Sequence, residues 1–327
     1  MSDTRTEILQ WIEQGRLQTE ALPTALRLAG LHPDRKDWRE FFNHLTLWVG
    51  AICCAIAVIF FFAYNWQAMG LFAKFGLVEI LIIASLVLYW RCDINHVAGQ
   101  ATLLFATLLV GALLALVGQT YQTGADTYEL FTVWAITVFP WVAVCCFAPL
   151  WLFWLGLINI AAVLYYQTFG GLFGWLFDSD QIMWALFILN TLALCVWETA
   201  ALLGVSWLRE RWSVRILAVA SGSLISILAT WAILDFDEHN NTGGAVLVYN
   251  NTGAVLVYRV WMVAAYIVYR HVTKDVFVLA VGVLSAIITI TFWLYKDGAS
   301  LFIGFTIIGL SAVGGFWLKS VVNEEQT

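Results

Sequence analysis

Charge is scarce in this chain. Only 12% of its 327 residues are Asp, Glu, Lys or Arg, against 61% hydrophobic, and the mean hydropathy is +0.82. A water-soluble fold of this length has nowhere to hide so much apolar surface, so lipid must be the solvent for most of it. The marks of catalysis are missing as well. The six cysteines stand as Cys53-Cys54, Cys92, Cys145-Cys146 and Cys195, never as C-x-x-C. Adjacent helix positions point about 100° apart, so neither pair makes a metal site, and all six read as small apolar fillers. The five histidines show no H-E-x-x-H spacing, and neither a Gly-rich phosphate loop nor a nucleophile elbow is present. The expectation is therefore no catalytic residue, no metal, no cofactor and no nucleic-acid partner. A cleaved signal peptide is not expected either: the first 40 residues are polar and helical in pattern, and the first span serves as the insertion signal.

What the sequence has is apolar runs of spanning length. A membrane helix needs about 20 mainly apolar residues. Ten such runs recur between short polar breaks: Phe42 to Tyr64, Ala73 to Trp90, Ala98 to Val117, Tyr128 to Phe147, Leu150 to Tyr166, Gln181 to Gly204, Val214 to Leu234, Thr252 to Tyr269, Val276 to Tyr295 and Ser300 to Leu318. Pro140 marks a kink point in span four and Pro149 the join to span five. The fold class is all-α: a polytopic integral membrane protein of about ten helices preceded by a short cytoplasmic helical hairpin. Its parts are residues 1–40 as hairpin, 41–320 as ten-span domain and 321–327 as cytoplasmic tail.

The cations give the orientation. With the amino terminus inside, Arg5, Arg16, Arg27, Arg35, Lys36, Arg39, Arg91, Arg209, Arg211, Arg215, Arg270, Lys274 and Lys319 face the cytoplasm, which is thirteen of sixteen. Lys74, Arg259 and Lys296 remain outside or just within the membrane. Cytoplasmic loops carry the excess of Lys and Arg, so both termini are expected inside. The acidic runs Asp178 to Asp180 and Asp235 to Glu238 fall on the other face. Many of the 18 tryptophans sit near span ends, among them Trp66, Trp90, Trp141, Trp175 and Trp317, and read as anchors at headgroup level.

Two shorter features stand out. Thr4 with Glu7 has capping-box spacing, and Ile8, Leu9 and Ile12 share the face of a helix ending near Gly15. A second helix covers Thr19 to Leu28, before Gly30 and Pro33 break the chain. This hairpin either packs on the inner ends of the spans or docks a cytoplasmic partner. Further on, NNTGGAVLVY is followed directly by NNTGAVLVY over Asn240 to Tyr258. The tandem copy is either an outer β-hairpin or a duplication that lengthened a loop and left its second copy to start span eight, the reading favoured by the length that span needs.

Chemistry within the membrane is sparse. Glu79, Glu198 and Arg259 are the candidate intramembrane charge sites. An acidic side chain near the bilayer centre costs on the order of 2.5–3.5 kcal/mol and persists where it meets a partner or a wet cavity. Glu79 and Arg259 lie at comparable depth below the outer face and could pair, whereas Glu198 is near enough to the inner face to snorkel. A second cluster gathers at the outer ends of spans one and three: Asn65, Trp66, Gly118, Gln119 and Tyr121, followed by Asp126. Such groups either satisfy frayed helix ends or line a polar pocket.

The run FFFAYNW (Phe60 to Trp66) and LLALVGQTYQTGADTYELFTVWA (Leu113 to Ala135) resemble a bacterial family of predicted membrane proteins, domain of unknown function 2157. The amino-terminal hairpin fits as well, and the resemblance covers about the first 150 residues. It implies residence in the bacterial inner membrane and marks Asn65, Trp66, Gly118, Gln119, Tyr121 and Asp126 as family positions, without an activity to carry over. Two functions remain open: a non-catalytic scaffold or envelope component with a membrane or cytoplasmic protein partner, and a secondary carrier using Glu79, Glu198 and Arg259. The halves show no similarity, which weighs against a carrier built on inverted repeats. An enzyme acting on lipid or peptidoglycan precursors ranks below both.

Overall fold

The computed structural model describes the chain apart from residues 1–7, 9–10, 13, 30–34, 66–68, 93–96, 123, 171–178, 236–244, 297–301 and 325–327. Ten long helices carry it: α1 Arg35–Tyr64, α2 Leu71–Arg91, α3 Val97–Tyr121, α4 Thr127–Val144, α5 Ala148–Gly170, α6 Ser179–Leu202, α7 Arg211–Asp235, α8 Ala245–Ile267, α9 Val276–Lys296 and α10 Ile303–Glu324. All ten contain a stretch long and apolar enough to cross a bilayer. The chain is thus an all-helical membrane protein; among the described residues ten helices are long and apolar enough to span a membrane and no strand occurs.

The punctuation works as the residues dictate. Gly15 takes φ +68° and its N–H donates to Ile12 O; a 3-10 turn at Thr19–Ala21 leads into the short helix Leu22–Leu28. The capping pair Thr4 and Glu7 lies outside the described residues. Gly204, with φ +95°, closes α6 through N–H bonds from Gly204 to Ala201 O and Val205 to Ala200 O. α4 runs through Pro140, and Pro149 sits in the first turn of α5, where a missing N–H leaves no bond unmade. The tandem copy resolves against a β-hairpin. α8 begins at Ala245, inside the first copy rather than the second, because intrahelical hydrogen bonds are the one way for a lone segment to satisfy its backbone in lipid.

The chain divides into two compact units, residues 1–161 and 162–325 with the last residues distributed between them. In the first, α3 is the central helix, packed by α1, α2 and α4. Its core includes Leu103, Leu109 and Val110 of α3 with Val138 and Val142 of α4. Trp48, Trp134, Trp141, Trp151 and Trp154 pack against this core, whereas Trp90 is exposed. The Trp134 and Trp141 indoles donate to Thr107 O (2.9 Å) and Thr107 Oγ1 (3.1 Å), and the Trp154 indole to Ala135 O (3.0 Å). The reading of Trp141 as an anchor is corrected here: an indole N–H that finds an acceptor on a neighbouring helix costs nothing to bury. Gly111 makes the approach possible, since a Cβ there would lie 2.4 Å from the Trp134 ring.

In the second unit α7 takes the central place, packed by α6, α8 and α9. Hydroxyls join its helices: Thr191 with Ser221 (2.6 Å), Ser226 with Ser285 (2.6 Å), and Tyr258 with Ser285 (3.0 Å). The Trp261 indole donates to Ser221 Oγ at 3.1 Å, over Gly222, whose Cβ would stand 2.7 Å from the ring. Without a hydrophobic drive between helices in lipid, such bonds and close small-residue contacts supply the adhesion.

Candidate functional site

One end of the second unit gathers its charges. α6 ends at Leu202, Gly204 turns the chain, a 3-10 turn spans Ser206–Leu208, and α7 starts at Arg211. This short return sets Glu198, four residues before the end of α6, beside the first turn of α7. Arg211 grips the Glu198 carboxylate with both guanidinium ends, Nη1 to Oε2 at 3.0 Å and Nη2 to Oε1 at 3.1 Å. Such fork-on-carboxylate geometry is the strongest form of the pair. Arg211 and Arg215 stand one turn apart and share a helix face, so both reach the same partner. That partner is Asp275: Arg211 Nε donates to it at 3.2 Å, and Arg215 Nε at 3.1 and 3.2 Å to its two oxygens.

Local backbone explains how Asp275 gets there. α8 closes in a π turn, Val268–Val272, and Lys274 adopts φ +48°. The reversal lets Asp275 N–H donate to Tyr269 O (3.0 Å) and turns the carboxylate inward, where it also caps α9 by accepting the Phe277 N–H at 3.1 Å. Its side chain is 2% exposed. Aromatic faces close the cluster: the Arg211 guanidinium lies 5.9 Å from the Tyr269 ring and that of Arg215 5.4 Å from Phe277. Two guanidiniums face two carboxylates, so the group is internally neutral. Arg270 pairs with Glu324 at the same end.

Of the three candidate charges from the sequence, the structure buries Glu198, at 8% exposure, and pairs it with Arg211 rather than leaving it to snorkel. Glu79 on α2 and Arg259 on α8 belong to different units, and each is exposed. Arg211, Arg215 and Asp275 were missed as partners. The signals were an Arg pair spaced i, i+4 at the start of a span and an Asp immediately before an apolar run, the signature of a helix cap.

The polar cluster from Asn65 to Asp126 lies where α1 and α3 end and α4 begins. The Asn65 side chain donates to Phe61 O at 3.0 Å, satisfying the frayed end of α1. Trp66 lies outside the described residues. Gly118 has open space where a Cβ would go, and Gln119 is exposed. Tyr121 is exposed with its ring 6.0 Å from Phe75. Asp126 stands at the N-cap of α4 without a side-chain cap bond. Gln119 and Ala63, two residues before Asn65, line one cavity of about 360 Å³ between α1, α3 and α4; apart from Gln119 its named walls are apolar or Trp134.

Among the described residues no group of three or more His, Cys, Asp or Glu could hold a metal ion. Residues 9–151 match the family described as a predicted membrane protein, DUF2157. No curated protein and no solved structure matches the chain.

Proposed function

We propose that this chain is a non-catalytic protein of the bacterial inner membrane, both termini cytoplasmic, that acts as a scaffold or envelope-associated component. The observation that supports it most is the closed, neutral cluster of Glu198, Arg211, Arg215 and Asp275. A carrier's intramembrane charge should face a cavity that its solute can enter; Glu79 and Arg259 are exposed, but neither lines the first unit's cavity. Here the deepest carboxylate of the second unit is already held by a guanidinium and lies about 6 Å from the end of its helix by helical rise. The cavity of the first unit shows no charged residue in its lining. Nor do the units share a plan: the central helix is the third span of the chain's first five but the second of its last five, where inverted repeats would place equivalent helices at matching positions. Residues 1–40 offer exposed Trp11 and Leu28 to a partner on the cytoplasmic side.

The test is reconstitution of the full chain into liposomes with entrapped pH- and cation-sensitive dyes. A scaffold gives no proton, sodium or potassium flux above protein-free vesicles, while a photocrosslinker at Trp11 or Leu28 in cells captures one recurrent protein. A solute-driven flux abolished by Glu198→Gln overturns the proposal.

One observation favours the carrier reading. The hydroxyls of Ser221, Thr191, Ser226, Ser285 and Tyr258 follow α7 away from the ion cluster, and Ser221 lies about 15 Å along the helix from Arg211. A flux that falls on Ser226→Ala would establish that track as a pathway; bonds serving only as adhesion predict altered stability with no flux.

A further inference from the structure

We infer that the cavity of the first unit is a seat for a single acyl chain of an outer-leaflet phospholipid, with the outer-face polar cluster at its headgroup end. Its leaflet rests on the orientation proposed above; the seat itself rests on shape.

The cavity runs from Ile52 to Ala63 along α1 and from Leu108 to Gln119 along α3, with Leu130 and Trp134 of α4 behind. Each helix contributes eleven residue steps, a length of about 16 Å. That is roughly half of a bilayer's hydrocarbon core of about 30 Å, the depth of one leaflet. Along that length the lining is apolar, and the one carboxamide, Gln119, stands at the end next to Ala63, the order in which a phospholipid carries its acyl tail and its esters. Water is a poor occupant because it needs two to four polar partners, which these walls do not offer along their length.

The hollow has a structural origin. At Gly111 the Trp134 ring takes the room of the missing side chain and fixes α4 against α3, while Ala112 and Ala115 are too short to fill the space toward α1. At the outer end, Gln119 presents an exposed carboxamide where a phospholipid's ester and phosphate oxygens would lie. Neighbouring positions are not consumed by the fold: Gly118 has room around it and the Asp126 carboxylate caps nothing.

The full-length protein in bilayers containing phosphatidylethanolamine with a diazirine at the end of one acyl chain tests this. After illumination, peptide mass spectrometry is expected to place adducts around Ile52 and Leu108. Moving the diazirine next to the ester shifts them to Ala63 and Gln119. Filling the seat with Ala112→Phe and Ala115→Phe cuts this labelling about tenfold, and Gln119→Leu, which leaves the packing alone, lowers it without affecting folding. Labelling spread evenly along the lipid-facing side of α1 and unchanged by either variant would show ordinary boundary lipid and overturn the seat. Crosslinks between two copies through Ile52 and Ile56 would overturn it in favour of a second chain. Labelling only from lipid supplied to the cytoplasmic leaflet overturns the leaflet; a reporter fusion at Gly70 reads the orientation directly and keeps that failure separate.

Discussion

Replacing Asp275 should damage the fold more than replacing any other charge in the second unit. Its carboxylate is 2% exposed and accepts from Arg211, from Arg215 and from the Phe277 N–H. Asp275→Ala leaves two guanidiniums facing Glu198 alone. Removing one partner of a buried ion pair costs about 3–5 kcal/mol, and losing a helix cap about 1 kcal/mol more. Arg211 and Arg215 keep 29% and 43% side-chain exposure, so water recovers part of the loss and the lower end, about 4 kcal/mol, is expected. Asp275→Asn keeps the cap and an acceptor oxygen while removing the charge, and should cost about 2 kcal/mol, the worth of a charge-assisted hydrogen bond. Denaturation of the purified protein in mild detergent, followed by tryptophan fluorescence, gives the order wild type, Asn, Ala. Glu198→Gln combined with Asp275→Asn should be non-additive, since both act through Arg211. The reasoning is refuted if the Ala variant unfolds within about 0.5 kcal/mol of wild type, or if Asn is as harmful as Ala.

Thr107→Val removes the acceptor of the Trp141 indole but leaves the Thr107 carbonyl for Trp134; interhelical bonds of this kind are worth about 0.6–1.7 kcal/mol in a membrane, and Trp141→Phe in the Thr107→Val background should add little, as a denaturation cycle would show. Gly111→Ala must displace the Trp134 ring and should destabilise by about 1–3 kcal/mol, whereas Gly118→Ala, with open space around it, should leave the unfolding midpoint unchanged. Cys145 is buried and Cys146 exposed; in detergent at pH 8, N-ethylmaleimide should modify Cys146 first and reach Cys145 only on unfolding, a sequence mass spectrometry can follow.

The spans were legible because lipid demands about 20 apolar residues at a stretch, a one-dimensional property. Span nine, expected at Val276 to Tyr295, is the helix Val276–Lys296, and span six, expected from Gln181, is the helix Ser179–Leu202. Facing was not legible. Trp141 and Trp90 look alike in sequence, yet Trp90 is 85% exposed and Trp141 bonds to Thr107, because the difference lies in which helix comes opposite. Glu198 likewise carried a visible cost without a visible partner: Asp275 joins its network through a residue 64 positions away, and nothing local to α6 announces it. The cavity is a difference of side-chain sizes on three helices, which no single helix's pattern can express.

The matched stretch, residues 9–151, falls within the first unit, residues 1–161, while the buried ion cluster lies wholly in the second. The family motif is only partly engaged in the fold: Asn65 donates to Phe61 O and the Tyr121 ring lies 6.0 Å from Phe75, whereas Asp126 caps nothing and a side chain at Gly118 would meet open space. The motif and the cluster should therefore separate by experiment. Asp126→Ala is expected to unfold within about 0.5 kcal/mol of wild type, as exposed substitutions do, and yet to impair whatever phenotype deletion of the gene produces. Arg211→Met should do the reverse in kind, lowering the amount of folded protein in the membrane and any phenotype in proportion to it. Loss of folded protein from Asp126→Ala would return the motif to a structural role and detach it from the cavity.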